Sequence, residues 1–193
     1  MFFAASRIHA ADEQLMKRIK KGEHQAFEIL YDRYARQMLR YFYRMLHGDE
    51  ALAQDFLQEL FLKVIQRPET FDHSRTFKTW LYTIAYNMCK NEYRRQTVRK
   101  NYLAANDIIS QSEEKPAETS LDQQYFRKRL MSELEKLSTD QRAAFLLRFQ
   151  EELSITQISA IMDCPAGTVK SRLFYACKKL SHLLKEFNPK GDG

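Results

Sequence analysis

Apolar side chains recur three and four positions apart along most of this chain, a spacing that places them on one face of an α-helix. The pattern runs from Asp12 to about Thr97 and resumes from about Phe126 to Phe187. Residues 104–126 lack this periodicity and carry five acidic residues against one lysine. Such a segment buries too little apolar surface to fold alone. The pattern therefore predicts an all-α protein with two small helical domains, residues 12–100 and 127–187, joined by a flexible acidic linker, residues 101–126.

Helix-breaking residues are few, with 5 Gly and 4 Pro among 193 residues, which favours helix over strand. Gly48-Asp49 and the stretch from Pro68 to Thr76 are the two predicted breaks in the first domain. Three cysteines lie far apart and without a CxxC pair, so neither a disulfide framework nor a zinc site is expected. The opening residues lack the features of a signal peptide, and no apolar run is long enough to span a bilayer. We expect a cytoplasmic protein without membrane insertion.

The formal net charge of +6 makes an acidic partner plausible, either nucleic acid or an anionic membrane surface. An evenly basic surface would give the same net charge without any acidic partner. The distribution of charge along the chain is needed to distinguish the two. From Cys164 to Lys185 there are five Lys or Arg residues and no Asp or Glu. From Arg75 to Lys100 there are seven basic residues, and Glu92 is the single acidic one. The positive charge is therefore concentrated in two segments.

The basic segment from Cys164 to Lys185 forms the C-terminal part of a predicted helix-turn-helix. Ser154 and Gln157 have the spacing of a capping box at the start of its first helix, as Ser138 and Gln141 do one helix earlier. A turn at Asp163-Cys164 leads into a second helix with a buried stripe of Val169, Leu173, Ala176, Leu180 and Leu184. Its other face is polar and basic and carries exposed aromatics, as a helix in the DNA major groove requires. A solvated basic face is the alternative.

A second pattern concerns the predicted helix from about Glu50 to Gln66. Its core stripe is Leu52, Phe56, Leu60 and Val64, and the far side still carries Phe61, Leu62 and Ile65 beside polar groups. A helix that is apolar on both sides is either fully buried or docks on a partner. Full burial would leave two carboxylates needing buried partners, which favours docking.

The segment after Arg75 combines tyrosines with basic residues. Tyr82, Tyr86, Lys90 and Tyr93 lie at helical spacing on one predicted face, apart from the buried stripe that begins at Phe77. Rings of this kind stack on unpaired bases, which contributes about 1–3 kcal/mol per base, while cations hold the backbone. The alternative is a tyrosine-rich face packed on a neighbouring helix.

Three stretches of this chain resemble RNA polymerase sigma factors of the sigma-70 family, in particular the extracytoplasmic-function group. DFLQELFLKV, residues 55–64, resembles the helix of the second sigma region that grips the coiled coil of the polymerase's largest subunit. FKTWLYTIAYNMCKNEYRR, residues 77–95, resembles the stretch that reads and opens the minus-ten element. GTVKSRL, residues 167–173, looks like the start of the recognition helix in the fourth region.

The resemblance implies three sets of contact residues. The contacts to core polymerase would be Asp55, Gln58, Glu59, Phe61 and Leu62. The contacts to the minus-ten element would be Phe71, Arg75, Phe77, Trp80, Tyr82, Tyr86, Asn87, Lys90, Asn91 and Arg94. The contacts to the minus-thirty-five element would be Thr168, Lys170, Ser171, Arg172, Tyr175 and Lys178.

The partners that the resemblance implies are core polymerase, through its largest-subunit coiled coil and its flap, promoter DNA, and an anti-sigma factor. It implies no cofactor, metal, small-molecule substrate or catalytic residue. Two other functions stay open on the residues alone. A dimeric helix-turn-helix regulator would bind duplex DNA without polymerase. The second is an enzyme, but the sequence contains no metal-ligand cluster, phosphate-binding glycine loop or nucleophile-base motif that supports this hypothesis. His24, His47 and His73 share no ligand-like spacing.

Overall fold

The computed structural model describes the backbone of residues 10–104 and 121–187 and the side chains of residues 10–99 and 128–181. Within these ranges the regular structure is entirely helical, which confirms the all-α prediction for the part described. Domain 1 contains α1 (Asp12–Ile19), α2 (His24–Met45), α3 (Glu50–Gln66), a short 3-10 helix (Pro68–Thr70) and α4 (Phe77–Ala104). Domain 2 contains α5 (Leu121–Glu135), α6 (Thr139–Phe149), α7 (Ile155–Met162) and α8 (Ala166–Phe187).

The predicted linker extends over residues 101–126, and its centre, residues 105–120, lies outside the described residues. At its edges the helices extend further than the apolar pattern indicated. Helix α4 continues to Ala104, and α5 begins at Leu121 rather than near Phe126. Leu184, which was placed in the buried stripe of α8, also lies outside the described side chains.

The break at Gly48-Asp49 is confirmed, and its backbone geometry explains why it falls there. Gly48 has a φ of 84°, and its N–H donates to the carbonyl of Tyr43 at 2.9 Å, which closes the end of α2. Asp49 then accepts the N–H of Leu52 at 2.9 Å and so caps the start of α3. Helices α2 and α3 therefore pack on each other across a short connection, residues 46–49.

The core of domain 1 lies between α1, α2, α3 and α4. Leu30, Met38, Phe42, Leu60 and Phe77 are each completely buried. Helix α1 also fixes the start of α4, because the Glu13 carboxylate accepts the N–H of Phe77 at 2.9 Å. The start of α4 is thereby held against the rest of the domain.

Both predicted capping boxes in domain 2 are confirmed. The hydroxyl of Ser138 accepts the N–H of Gln141 at 3.3 Å, and the Gln141 side chain accepts the N–H of Ser138 at 3.3 Å. The same reciprocal pair forms between Ser154 and Gln157, at 3.2 and 2.9 Å. These bonds satisfy backbone donors that a helix start otherwise leaves unpaired. The angles at which α6 and α7 begin are therefore fixed locally.

The two domains pack directly against each other. Helix α7 lies on α4, and α6 contacts both α2 and α4. Helix α4 is therefore buried on two faces. Its apolar stripe packs inside domain 1, and a second face is covered by domain 2. Among the helices described, none combines the length and the apolar character needed to cross a membrane.

Candidate functional site

Helix α3 presents one polar and partly apolar face away from the core. Asp55, Gln58 and Glu59 are exposed on it, and the Leu62 side chain is 51% exposed. We call these four residues the docking face. Glu59 also pairs with Lys63 at 2.6 Å, an exposed i,i+4 contact that contributes little to stability. Full burial of this helix, the alternative left open by the sequence, is therefore wrong for these four residues.

The fifth predicted polymerase contact, Phe61, lies inward and is 3% exposed. Its ring contacts Phe27 edge-on, with centroids 6.0 Å apart, and Tyr31 at 4.7 Å. Tyr31 remains 40% exposed beside the docking face. Sequence reasoning missed Phe27 and Tyr31, although their i,i+4 spacing on α2 is the signal that could have found them. Phe61 therefore supports the docking face from beneath in this conformation.

The predicted minus-ten residues fall into three groups, and the first is an aromatic cluster at the start of α4. Phe71, Phe77 and Trp80 are all at most 8% exposed. The Phe71 ring lies 5.3 Å from Trp80 and 6.0 Å from Phe77, centroid to centroid. The loop beside them is held by Asp72, which accepts the Ser74 N–H at 2.9 Å, and this bond lowers the pKa of Asp72. These three rings pack against one another, so in this conformation they form part of the core.

The second group is polar and faces solvent. Arg75, Asn87, Asn91 and Arg94 are exposed, and Lys90 is half-buried. Asn87 and Asn91 line a shallow groove of about 460 Å³ between α3 and α4, together with Glu59, Lys63 and Arg95. Arg95 was not among the predicted contacts. The groove therefore joins the docking face to the polar edge of α4.

The third group is Tyr82 and Tyr86. Together with Lys90 of the second group and Tyr93, which was not among the predicted contacts, they form what we call the tyrosine face of α4. The interpretation of this face as exposed is wrong for this conformation, because Tyr82 is 0% and Tyr86 1% exposed. Domain 2 covers it. The Tyr86 hydroxyl donates to Asp140 at 2.8 Å, the Tyr82 hydroxyl donates to Glu151, and Lys90 lies 5.7 Å above the Tyr86 ring.

Burial alters the acidity of this face. It raises the pKa of Tyr82 and of Tyr86 well above their ordinary value, and their carboxylate partners raise both further. For Tyr93 burial raises the pKa to about 12. The hydroxyls therefore remain protonated hydrogen-bond donors at neutral pH. The apolar pattern missed this arrangement because tyrosine is compatible with either a buried or an exposed position.

Arg142 of α6 is the centre of a second contact between the domains, and sequence reasoning did not identify it. It is 2% exposed and donates to the carbonyls of Leu134 and Met45, both at 3.0 Å, and to the Tyr93 hydroxyl at 2.7 Å. Burial lowers the pKa of Arg142. The Met45 carbonyl belongs to the C-terminal end of α2, where the helix dipole favours a cation. Arg142 thus caps a helix of the other domain.

The predicted recognition helix, α8, begins after a left-handed residue at Asp163, with a φ of 48°. Lys170, Ser171, Tyr175 and Lys178 are exposed, Tyr175 by 53%, and Phe174 beside them is 62% exposed. This arrangement confirms the helix-turn-helix spacing. It also leaves the outward face of α8 accessible.

Two predicted contacts of α8 lie differently. Thr168 is half-buried in the first turn, with its N–H donated to the Pro165 carbonyl at 2.9 Å. Arg172 is turned towards the body of domain 2, where it forms an ion pair with Asp140 and donates to the Cys164 sulfur at 3.1 Å. In the part of the chain that the structure describes, no three His, Cys, Asp or Glu side chains are grouped closely enough to hold a metal ion.

Both domains of this chain match known protein families. The family model described as Sigma-70 region 2 matches residues 30–99, and that described as Sigma-70, region 4 matches residues 127–180. The RNA polymerase sigma-H factor of Pseudomonas aeruginosa is 32% identical over 190 residues, which cover 91% of this chain and 96% of the relative. The ECF RNA polymerase sigma-E factor of Escherichia coli is 33% identical over 183 residues, which cover 90% and 94%.

A solved structure is similar as well. The sigma factor RpoE of Bartonella quintana, crystallised with the anti-sigma factor NepR, has a TM-score of 0.67 and 28% identity, covering 82% of this chain and 96% of that one. Sequence identity and coverage of this extent over both domains show common descent with the relatives. The chain belongs to the extracytoplasmic-function group of sigma-70 family sigma factors, which direct promoter-specific initiation by RNA polymerase.

Proposed function

We propose that this sigma factor docks on core RNA polymerase through the docking face of α3, Asp55, Gln58, Glu59 and Leu62. The single observation that carries this proposal is Leu62, a leucine that is 51% exposed on the same side as the exposed Asp55 and Glu59, on a helix whose other large apolar residues are mostly buried. With Tyr31, which is 40% exposed beside the docking face, Leu62 gives this surface an apolar centre surrounded by exposed polar side chains, as protein interfaces have. The coiled coil of the polymerase's largest subunit is the expected partner. Phe61 is buried beneath the docking face, so it supports that face without contacting the partner.

For the minus-ten element, we propose that α4 captures the displaced strand. Arg75, Asn87, Asn91 and Arg94 are already exposed and supply polar and cationic contacts. The tyrosine face supplies rings for stacking once it is uncovered, and base stacking together with backbone charge is how proteins hold single strands. Phe71, Phe77 and Trp80 would then shape the loop beside the strand rather than stack on it.

For the minus-thirty-five element, the outward face of α8 is the proposed reader. Its exposed Lys170, Ser171 and Lys178 combine one hydroxyl with two cations, and Tyr175 lies among them. Residues near the start of such a helix reach base edges, while cations contact phosphates. Thr168 and Arg172 complete the predicted set, and domain 2 is also expected to contact the polymerase flap.

Regulation by an anti-sigma factor is part of the proposal, supported by the structural likeness to RpoE, which was crystallised with NepR. The protein is proposed to act in the cytoplasm as an initiation factor. Catalysis would belong to the polymerase, so the chain itself needs no cofactor, small-molecule substrate or catalytic residue.

The docking proposal is tested by the substitution Leu62→Ala. Truncating a leucine at the centre of an interface weakens binding by about 1.4 kcal/mol, so the affinity for core polymerase is expected to fall about tenfold. Fluorescence anisotropy of the labelled full chain against purified core enzyme measures this directly. Val98→Ala is the matched control, because Val98 is 69% exposed on α4, outside the docking face. Equal affinities of the two variants would refute docking through Leu62.

A further inference from the structure

Two neighbouring carboxylates at the start of α1 contact two different helices of domain 1. Asp12 accepts hydrogen bonds from the Arg33 guanidinium and from the Tyr34 hydroxyl, both on α2. Glu13 accepts the backbone N–H of Phe77 at 2.9 Å, where α4 begins. Helix α1 therefore connects the middle of α2 to the first residue of α4.

Helix α1 is itself held in place by burial. Leu15 and Met16 on its inner face are at most 1% exposed. The Tyr34 ring contacts the Phe77 ring edge-on, with centroids 5.2 Å apart, while its hydroxyl donates to α1. Phe77 is therefore fixed twice, at its backbone by Glu13 and at its side chain by Tyr34.

The bond from Glu13 is made in addition to a local cap on α4. Thr76, the residue before the helix, accepts the N–H of Thr79 with its hydroxyl at 3.3 Å, which satisfies one of the free donors at the helix start. The Phe77 N–H is another of these donors, and its acceptor comes from a residue 64 positions earlier in the chain. Glu13 therefore fixes the start of α4 relative to α1 and α2.

The backbone of Phe77 is also where the loop beside the proposed strand site ends. Residues 72–76 of this loop are exposed, whereas Phe71 and Phe77 on either side of them are at most 4% exposed. The two rings contact each other, with centroids 6.0 Å apart. Both ends of the loop are anchored in the core, so the position of its exposed residues depends on where Phe77 is held.

We propose that Glu13 is a positioning residue for recognition of the minus-ten element. It holds the Phe77 backbone, and with it the end of the loop, in the conformation that receives a base of the displaced strand. This role rests on the proposed strand capture by α4 and adds a residue that lies outside the predicted contact set. A loop held in its bound conformation binds more tightly, because less ordering is needed on binding.

The effect is expected on sequence selectivity rather than on all DNA binding. Exposed cations of α4 such as Arg94 contact phosphates of any sequence, and these contacts do not depend on the loop. A displaced loop weakens contacts to the base alone. The affinity ratio between a matched and a scrambled strand is therefore the quantity to measure.

Three substitutions separate the position of Glu13 from its charge. Glu13→Gln retains an acceptor oxygen at the same reach and removes the charge. Glu13→Asp retains the charge, but its side chain is one methylene shorter, which withdraws the oxygen from the Phe77 N–H. Glu13→Ala removes both. If only negative charge at the start of a helix mattered, Glu13→Asp would be active and Glu13→Gln would not.

The binding test uses holoenzyme reconstituted from the full chain and purified core polymerase. Its probes are a fluorescein-labelled single strand with the minus-ten element of a promoter selected with the wild-type holoenzyme, and a scrambled strand of the same composition. The affinity ratio is expected to fall about tenfold in Glu13→Ala and Glu13→Asp, and to stay within about twofold of wild type in Glu13→Gln. Glu23→Ala is the matched control, because the Glu23 carboxylate also binds α1, at 2.9 Å from Arg18.

Trp80 provides a second readout that needs neither polymerase nor DNA. It is the single tryptophan of the chain, it is 8% exposed, and its ring lies 5.9 Å from that of Phe77, centroid to centroid. Acrylamide quenching of its fluorescence in the free full chain is expected to increase in Glu13→Ala and Glu13→Asp. It is expected to be unchanged in Glu13→Gln and in Glu23→Ala.

Core-polymerase affinity is expected to be the same in all of these variants. Wild-type selectivity in Glu13→Asp and Glu13→Ala overturns the inference, and so does a loss in Glu13→Gln as large as that in Glu13→Ala. A parallel loss of core affinity overturns it too, since the effect is then on the whole domain. If Glu13→Ala does not fold, the comparison of Glu13→Asp with Glu13→Gln decides alone.

Failure of the proposed function gives a different result. If the wild-type holoenzyme binds the matched and the scrambled strand equally, strand capture by α4 fails, and the inference fails with it. If the wild-type holoenzyme distinguishes the strands and every Glu13 variant does so equally well, only the role of Glu13 is overturned.

Discussion

Reversing the charges of Asp55 and Glu59, by Asp55→Lys together with Glu59→Lys, is expected to reduce the affinity for core polymerase by about 100-fold or more. Both carboxylates are exposed on the docking face, with Leu62 beside them. A polymerase surface that complements them is positively charged, so two lysines replace attraction with repulsion. Run-off transcription at limiting sigma concentration is expected to fall in parallel, while thermal stability changes little because neither side chain is buried.

The control for this variant reverses two exposed carboxylates outside α3, by Glu69→Lys together with Glu152→Lys. The net charge changes equally in both double variants, so a general electrostatic effect would appear in both. Surface plasmon resonance with immobilised core enzyme gives the two affinities under identical salt conditions. Wild-type affinity in the α3 double variant would contradict docking through this helix.

Replacing Arg142 with methionine is expected to lower the free energy of unfolding by about 3 kcal/mol. Methionine retains much of the length and apolar contact of the side chain but has no donor. The Met45 and Leu134 carbonyls and the Tyr93 hydroxyl then lose a charged partner in a buried setting. Since Arg142 joins the domains, urea unfolding is also expected to become less cooperative, with a lower m-value or two separate transitions.

The comparison for Arg142 is Arg99→Met, because Arg99 is an exposed arginine on α4. A surface substitution of this kind changes stability by about 0.5 kcal/mol or less. Urea titrations followed by circular dichroism and by tyrosine fluorescence separate secondary structure from interdomain packing. If Arg142→Met and Arg99→Met unfold at the same urea concentration, Arg142 does not stabilise the interface.

Local features of the fold could be predicted because local chemistry determines them. The two capping boxes at Ser138 and Ser154 follow from a hydroxyl and an amide three residues apart, which need no distant partner. The break at Gly48 follows from a positive φ that glycine adopts readily. Exposure of Leu62 followed from the polar residues around it, which could not all be buried.

The packing of one domain on the other could not be predicted in the same way. Helical periodicity identifies an apolar stripe, but a tyrosine such as Tyr82 can be buried against a carboxylate or exposed to DNA. Phe61 belongs to a helix that is apolar on several sides, so its direction depends on the position of Tyr31 on α2. Arg142 would be assigned to the surface by its charge alone, and only the carbonyls from two domains explain its burial.

The central claim, that this chain confers promoter-specific initiation on polymerase, is tested most directly by run-off transcription with purified core enzyme. A promoter selected with the reconstituted holoenzyme serves as template, and the reactions contain core enzyme alone, the chain alone or both. We predict a discrete transcript of defined start in the complete reaction only. A transcript of the same start with core enzyme alone, or none when both are present, would contradict the claim.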